Sequence, residues 1–418
     1  MMVKKPAIRF KQFENDWEEK DFMRVFSFLQ NNTLSRNELS DEEGSAINIH
    51  YGDVLVKYGD YTDLRNVDCQ YIQDENIVEK FKNSLLKDGD VIVADTAEDE
   101  TVGKCCEITG LEKRKAIAGL HTMPLRPNIK FAASFLGYYM NSDAYHRQLL
   151  PLMQGTKVTS ISKSAIQGTK LVFPKELDEQ KAIGDFFLCL DNLLEYHGRK
   201  YVKAQNVKRA MLEKLIIHND TDAPEIRFGE YKQSWEKVSL GDVVMPYSDP
   251  VETPHDGYLR LGIRSYGKGT FHDTVKAGQE LGTAQMHRVA ANKLIVNITF
   301  AWEHAVAITG EEDEGKLVSH RFPQFSMTEK IDAQFLKYVI LDERFRHHLL
   351  LSSPGGAGRN RVLKVDEMLE YSFRIPQIEE QREIAGFLNS LDDLIKLYDM
   401  RIERLKHIKT ACLDGMFM

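Results

Sequence analysis

Asp178-Glu179-Gln180-Lys181-Ala182-Ile183 opens a stretch, residues 178–217, in which Ile183, Phe186, Phe187, Leu190, Leu193, Leu194 and Tyr201 recur at helical steps. That spacing keeps one stripe of an α-helix apolar while Lys, Arg, Asp and Asn fill the other faces, so the stretch reads as one long amphipathic helix with a packing partner. The chain supplies the partner itself. From Glu379 the pattern returns as Glu380-Gln381-Arg382-Glu383-Ile384, then Phe387, Leu388, Leu391, Leu394, Ile395, Ile402, Leu405 and Ile408. Glu179-Gln180 and Leu190-Asp191 match Glu380-Gln381 and Leu391-Asp392 at a single offset of 201.

The duplication extends beyond the helices. Pro6-Ala7-Ile8-Arg9-Phe10 with Trp17 returns as Pro224-Glu225-Ile226-Arg227-Phe228 with Trp235, an offset of 218. Two half-chains, each a globular part followed by a helix, therefore replace one large fold, as 418 residues already suggest. Asn219-Asp220-Thr221-Asp222-Ala223-Pro224 is a polar, Pro-ended linker.

Inside the first globular part, Gly52-Asp53-Val54-Leu55-Val56, residues 88–94 and Leu171-Val172-Phe173 predict short strands, and residues 132–150 a helix. The second part predicts strands at residues 258–261, 293–297 and 371–375 and a helix over 333–351. Both parts are thus mixed α+β. His121 and His320 take matched places, which suits hydrogen-bonded core histidines better than catalytic bases. Beyond such landmarks the interiors are unlike, which suggests two domains doing one kind of task on different targets.

A net charge of −8 argues against a protein that coats nucleic acid, because that affinity comes from neutralised phosphates. Charge is segregated, however: Arg199, Lys200, Lys203, Lys208, Arg209 and Lys214 face only Glu213 within residues 199–214. No apolar run long enough for a membrane span is present and the first residues resemble no export signal, so a cytoplasmic protein without membrane contact is expected. Cys69, Cys105, Cys106, Cys189 and Cys412 form no C-x-x-C pair and read as reduced thiols.

Motifs of catalysis are missing. Neither Gly155-Thr156-Lys157 nor Gly168-Thr169-Lys170 has the upstream glycine of a P-loop, and Gly355-Gly356-Ala357-Gly358 follows a helix where a dinucleotide motif needs a strand. Glu314-Gly315-Lys316 has a nuclease-like form but lies in an acidic run that reads as a solvated turn. No metal site is expected. What recurs is a Gly-containing polar loop before the last strand of each part: Gln154-Gly155-Thr156-Lys157-Val158-Thr159-Ser160, and Gly355-Gly356-Ala357-Gly358-Arg359-Asn360-Arg361. Arg suits the guanine edge and Asn the adenine edge, while Ser, Thr and Lys take phosphates or bases. Lys157, Thr159, Ser160 and Lys163 in the first part, and Arg359, Asn360 and Arg361 in the second, are the candidate DNA-binding residues.

These residues resemble the specificity subunit of type I restriction-modification systems. The resemblance rests on the Ile-Arg-Phe…Trp segments and on Phe173-Pro174…Glu179-Gln180 and Ile375-Pro376…Glu380-Gln381, and it covers essentially the whole chain. One residue more separates Pro174 from Gln180 than Pro376 from Gln381. The resemblance implies an α+β fold: two target-recognition domains related by internal duplication (1–173 and 219–375), separated by two long helices (174–218 and 376–418) that form an antiparallel coiled coil. It further implies a non-catalytic subunit that reads a bipartite, asymmetric site in double-stranded DNA. Methyltransferase subunits would dock on the helices and use S-adenosylmethionine, and a restriction subunit would add ATP- and Mg2+-dependent translocation and cleavage. Ile183, Phe187, Leu190, Leu194, Ile384, Leu388, Leu391 and Ile395 are the expected seam and docking residues. A helix of about 40 residues reaches roughly 60 Å, longer than a DNA turn of roughly 34 Å. The competing expectation is a duplicated coiled-coil scaffold that binds proteins without DNA specificity.

Overall fold

The computed structural model describes residues 5–155, 158–217, 221–229, 231–280, 282, 285–355 and 361–418. Both amphipathic stretches are helices of 39 residues, Leu177–Leu215 and Ile378–Met416. Asp178 and Glu179, like Glu379 and Glu380, fill their first turns, where carboxylates favour the positive end of the helix dipole. The chain forms two compact units: Met1–Arg199 with Asp399–Met418, and Lys200–Tyr398. Each unit thus takes the start of one long helix and the end of the other.

In the first unit a five-stranded sheet runs in the order Phe26–Phe28, Thr122–Pro127, Val91–Ala94, Cys105–Thr109, Tyr61–Asp63. Its central strand is apolar at every position because both faces are covered. Val91 and Val93 join the core built with Phe135, Tyr139 and Phe187, while Ile92 and Ala94 join another with Ile49 and Val54. The second unit repeats this parity in a four-stranded sheet, Val244–Tyr247, Gln324–Met327, Lys293–Val296, Val306–Ile308. Leu294 and Val296 meet Phe335 and Leu388, whereas Ile295 meets Leu261 and Val318. Each unit is closed by an antiparallel pair joining its first strand to its last, Glu18–Asp21 with Lys170–Phe173 and Glu236–Ser239 with Ser372–Ile375.

The repeated Glu-Gln pair explains how each helix grips its unit. Arg9 donates from Nε and Nη2 to Glu179 at 2.7 and 2.8 Å, and Arg227 does the same to Glu380 at 2.9 and 2.6 Å. Both carboxylates are buried, so the bidentate fork supplies the charge partner that burial demands. Gln180 accepts from Ala132 N and donates to Pro174 O, and Gln381 accepts from Asp332 N and donates to Pro376 O. The extra residue after Pro174 therefore leaves this contact intact.

The two long helices pair antiparallel within the first unit: Asp191 meets Lys409 at 2.6 Å while Phe187, a turn earlier, stacks on Phe417 at 5.6 Å. In the second unit Lys208 pairs with Asp392. Ile8 N donates to Gly415 O in one unit and Ile226 N to Lys214 O in the other, so the end of each helix anchors the lead segment of the unit it finishes in.

Three local expectations are corrected. Asp53–Lys57 is a π-helical turn rather than a strand, held where Asp53 accepts from His50 N and from Arg36. The helix expected over 132–150 breaks into Phe135–Asn141 and Asp143–His146 around an extended Ser142. Likewise 333–351 breaks into Ala333–Ile340 and Glu343–Leu351, where extended Asp342 caps the Arg344 amide at 2.7 Å.

Candidate nucleic-acid interface and docking faces

The end of each central strand is clamped on both sides. Asp95 N donates to His121 O at 3.1 Å and Asp95 O accepts from Ile161 N at 2.9 Å. In the second unit Ile298 N donates to Arg321 O at 3.0 Å and Ile298 O accepts from Leu363 N at 2.8 Å. The residues that follow the two recurring polar loops, Ile161 and Leu363, therefore lie at the same place in each unit, beside the outgoing end of the central strand.

In the first unit the loop is a hairpin. Gln154 and Ser160 exchange backbone hydrogen bonds of 2.9 and 2.8 Å, and Thr159–Ser160 pairs with Thr96–Ala97. Gly155 closes it at φ 114°, where a Cβ would stand 2.0 Å from Val158 O, so no other residue fits. Ser160 is exposed and Thr159 half-buried. Lys163 opens the helix Lys163–Gln167, which Ser162 caps, and its Nζ lies 5.7 Å over the Phe28 ring. Arg361 lies with its guanidinium 5.6 Å over Trp302, a contact that pre-orders a planar donor fork. Lys157, Arg359 and Asn360 fall outside the described residues.

The clamp also exposes residues that motif reading passed over. His121 Nδ1 faces Asp95 Oδ1 and Thr96 Oγ1, each at 3.4 Å, and Tyr51 meets the imidazole edge-to-face at 5.3 Å. At the equivalent place Arg321 Nη1 donates to Thr299 Oγ1 at 3.2 Å. His121 thus corresponds to Arg321 and not to His320, and both His121 and His320 are exposed rather than core residues. Among the described residues the buried histidines are His50 and His304. Aligning the two central strands by which core each residue enters, Val91 on Leu294 and Ile92 on Ile295, is the signal that finds the correct partner.

On the long helices, Ile183, Phe187 and Leu190 are buried in the core of the first unit, and Ile384 and Leu388 in that of the second. Leu194, Leu391 and Ile395 are half-buried. Beside them a polar cluster is built twice. Asp191 accepts from Tyr138 Oη and Lys409, and Lys409 also reaches Asp60 at 2.9 Å. Asp392 accepts from Tyr338 Oη and from Lys208. Burial pulls the Lys409 ammonium down, but Asp60 and Asp191 outweigh it, leaving its pKa above the ordinary lysine value. Burial pushes the Asp392 carboxyl up, and Lys208 with Tyr338 outweighs that, leaving it below the ordinary carboxylate value. Exposed apolar residues recur as well: Leu193, Tyr196 and Ile408 in the first unit, and Leu394, Leu397 and Val207, their repeat equivalents, in the second, while exposed Val202 and Met400 correspond to Glu403 and Arg199.

Fold and site together define a duplicated two-domain protein whose domains share a frame and differ at one exposed strand end. The model of the type I restriction modification DNA specificity domain matches residues 14–205. The MjaVIII type I restriction enzyme specificity subunit of Methanocaldococcus jannaschii is 26% identical over 280 residues, 62% of this chain and 64% of that one. A putative MjaX specificity subunit of the same organism is 22% identical over 435 aligned positions, 96% and 93% of the two chains. The crystal structure of the S subunit of a type I restriction-modification system from M. genitalium shares the fold, with a TM-score of 0.59 at 12% identity over 99% of each chain. Residues 14–205 thus carry a type I restriction modification DNA specificity domain, and the chain is similar over nearly its whole length to a specificity subunit of that kind.

Proposed function

We propose that this chain is the non-catalytic DNA-recognition subunit of a type I restriction-modification complex and reads a bipartite, asymmetric site in double-stranded DNA. The observation that carries this reading is the matched clamp with unlike side chains: Thr96, His121, Thr159 and Ser160 in one unit, Thr299, Arg321 and Arg361 in the other. Equal frames place the readers alike, and unlike side chains choose unlike bases. The exposed apolar set that occurs once per unit supports docking of two copies of one partner, the methyltransferase subunit. In this reading the partners carry the chemistry: S-adenosylmethionine on the methyltransferase, ATP and Mg2+ on a restriction subunit. Among the described residues no helix is long and apolar enough to cross a membrane, and a cytoplasmic place fits a complex that acts on cellular DNA.

The test is binding of the chain, assembled with methyltransferase subunits, to a randomised duplex pool at two salt concentrations. A split motif whose affinity falls steeply with salt is expected. Assembly without any selected sequence contradicts the proposal and favours the protein-binding scaffold.

A further inference from the structure

The clamp places His121 and Arg321 at one structural position, and their surroundings give them opposite hydrogen-bonding character. Both are exposed, and neither fills a core. Each is steadied from below by a threonine at the same register, Thr96 or Thr299. Around Arg321 lies a cleft of 580 Å³ also lined by Thr299, Asn297, Arg260, Phe271 and Phe300. The acidic residue of its lining, Glu303, is occupied by the Ser265 hydroxyl at 2.6 Å. Arg321 carries donors alone, in a planar fork.

His121 is set up differently. The residue before Thr96 is Asp95, where the second unit has Ile298 before Thr299. With the Asp95 carboxylate 3.4 Å from Nδ1, a proton on that nitrogen is favoured, which makes Nε2 the acceptor of the imidazole. Tyr51, edge-to-face against the ring, restricts its rotation. The backbone at His121 is left-handed, φ 56°, a conformation that histidine and asparagine tolerate better than most residues.

We infer that His121 and Arg321 are paired specificity-determining residues: Arg321 selects guanine through O6 and N7, and His121 selects an amino-bearing base, cytosine N4 or adenine N6, at the corresponding place of the other half-site. This rests on the DNA-reading function proposed above. Arg321 gives donors to an acceptor edge, His121 Nε2 accepts from an amino group, and the asymmetry of the site follows from one position in the duplicated frame.

The experiment is selection from a randomised duplex pool by the complex with methyltransferase subunits, comparing the natural chain with R321A, R321K and H121N. R321A and R321K should each lose guanine preference at one position of one half-site, with a fall of about 5- to 150-fold on the original sequence, because lysine keeps the charge but not the fork. H121N should narrow one position of the other half-site to adenine, since a carboxamide pairs with adenine N6 and N7. The inference is overturned if R321K keeps the guanine preference, if R321A weakens all sequences equally with a shallower salt slope, or if either variant alters both halves. A natural chain that selects no sequence overturns the proposed function itself, and this inference with it.

Discussion

The two units use the same frame and fill it differently, and the clearest case is how each caps the helix that follows its sheet. In the first unit the cap comes from the sheet: buried Glu107 accepts from Ser134 N at 2.8 Å and Gly137 N at 3.0 Å. In the second unit the cap is local, Asp332 accepting from Gln334 N and Phe335 N. The position equivalent to Glu107, paired with the central strand at the same register, is Ile308, which packs against the core. The frame thus demands a carboxylate at that helix start but not a source for it. Burial pushes Glu107 up to about 7 despite the amides that pull it down.

The largest effect tests the shared frame. Removing a buried partner strands the other charge, so Glu179→Ala and Glu380→Ala should each destabilise their own unit by about 3–5 kcal/mol. Glu179 also accepts from Trp17 Nε1 at 3.2 Å, whereas Trp235 Nε1 has no partner among the described residues. The loss in the first unit should therefore be the greater. Amide hydrogen exchange reads the units separately, and equal losses would remove this distinction.

Next comes the pH dependence of the first unit. Between the unfolded value of a glutamate and about 7, the folded state holds the Glu107 proton and the unfolded state does not. The stability that Glu107 contributes is therefore greatest below that window and falls as pH rises through it, by about 3 kcal/mol. Glu107→Gln should flatten the fall in the first unit and leave the second unchanged; a slope insensitive to the substitution would refute the assignment.

Smaller again is the helix lock. Lys409→Met removes the ammonium shared by two carboxylates, leaving Asp60 with Asn141 and Asp191 with Tyr138, and should cost about 1.5–3 kcal/mol, since the site is only partly sheltered. Lys208→Met leaves Asp392 with Tyr338 and Lys337 and should cost less. Exchange rates along the helix ends give both values. The smallest effect touches stability hardly at all: Arg361→Ala should relax the choice of one base by about 1–3 kcal/mol while leaving unfolding unchanged. Uniformly weaker binding would mark Arg361 as a phosphate contact instead.

The frame was legible because it is written twice. The helix bounds, the last strand of each unit and the Glu-Gln pair all follow from residues that return at fixed offsets, whereas the first strands Glu18–Asp21 and Glu236–Ser239, and what Glu179 and Gln180 hold, are visible only in three dimensions. Helix breaks at Ser142 and Asp342 were hidden, since a one-residue cap interrupts hydrogen bonding without upsetting the apolar period on either side. Gly52–Val56 misled because a short apolar run looks alike as strand or helical turn. The candidate interface was half legible. The loop positions were read from their place before the last strand, but His121 was matched to His320 by residue type, and only the strand register substitutes Arg321.

The most direct test of one frame with two unlike readers is methylome sequencing of cells that carry this chain with its methyltransferase, beside a chimera in which residues 1–170 come from a related subunit. The account predicts a split, asymmetric methylated motif in which the chimera changes one half and preserves the other. A single undivided motif, or a chimera that changes both halves, would contradict it.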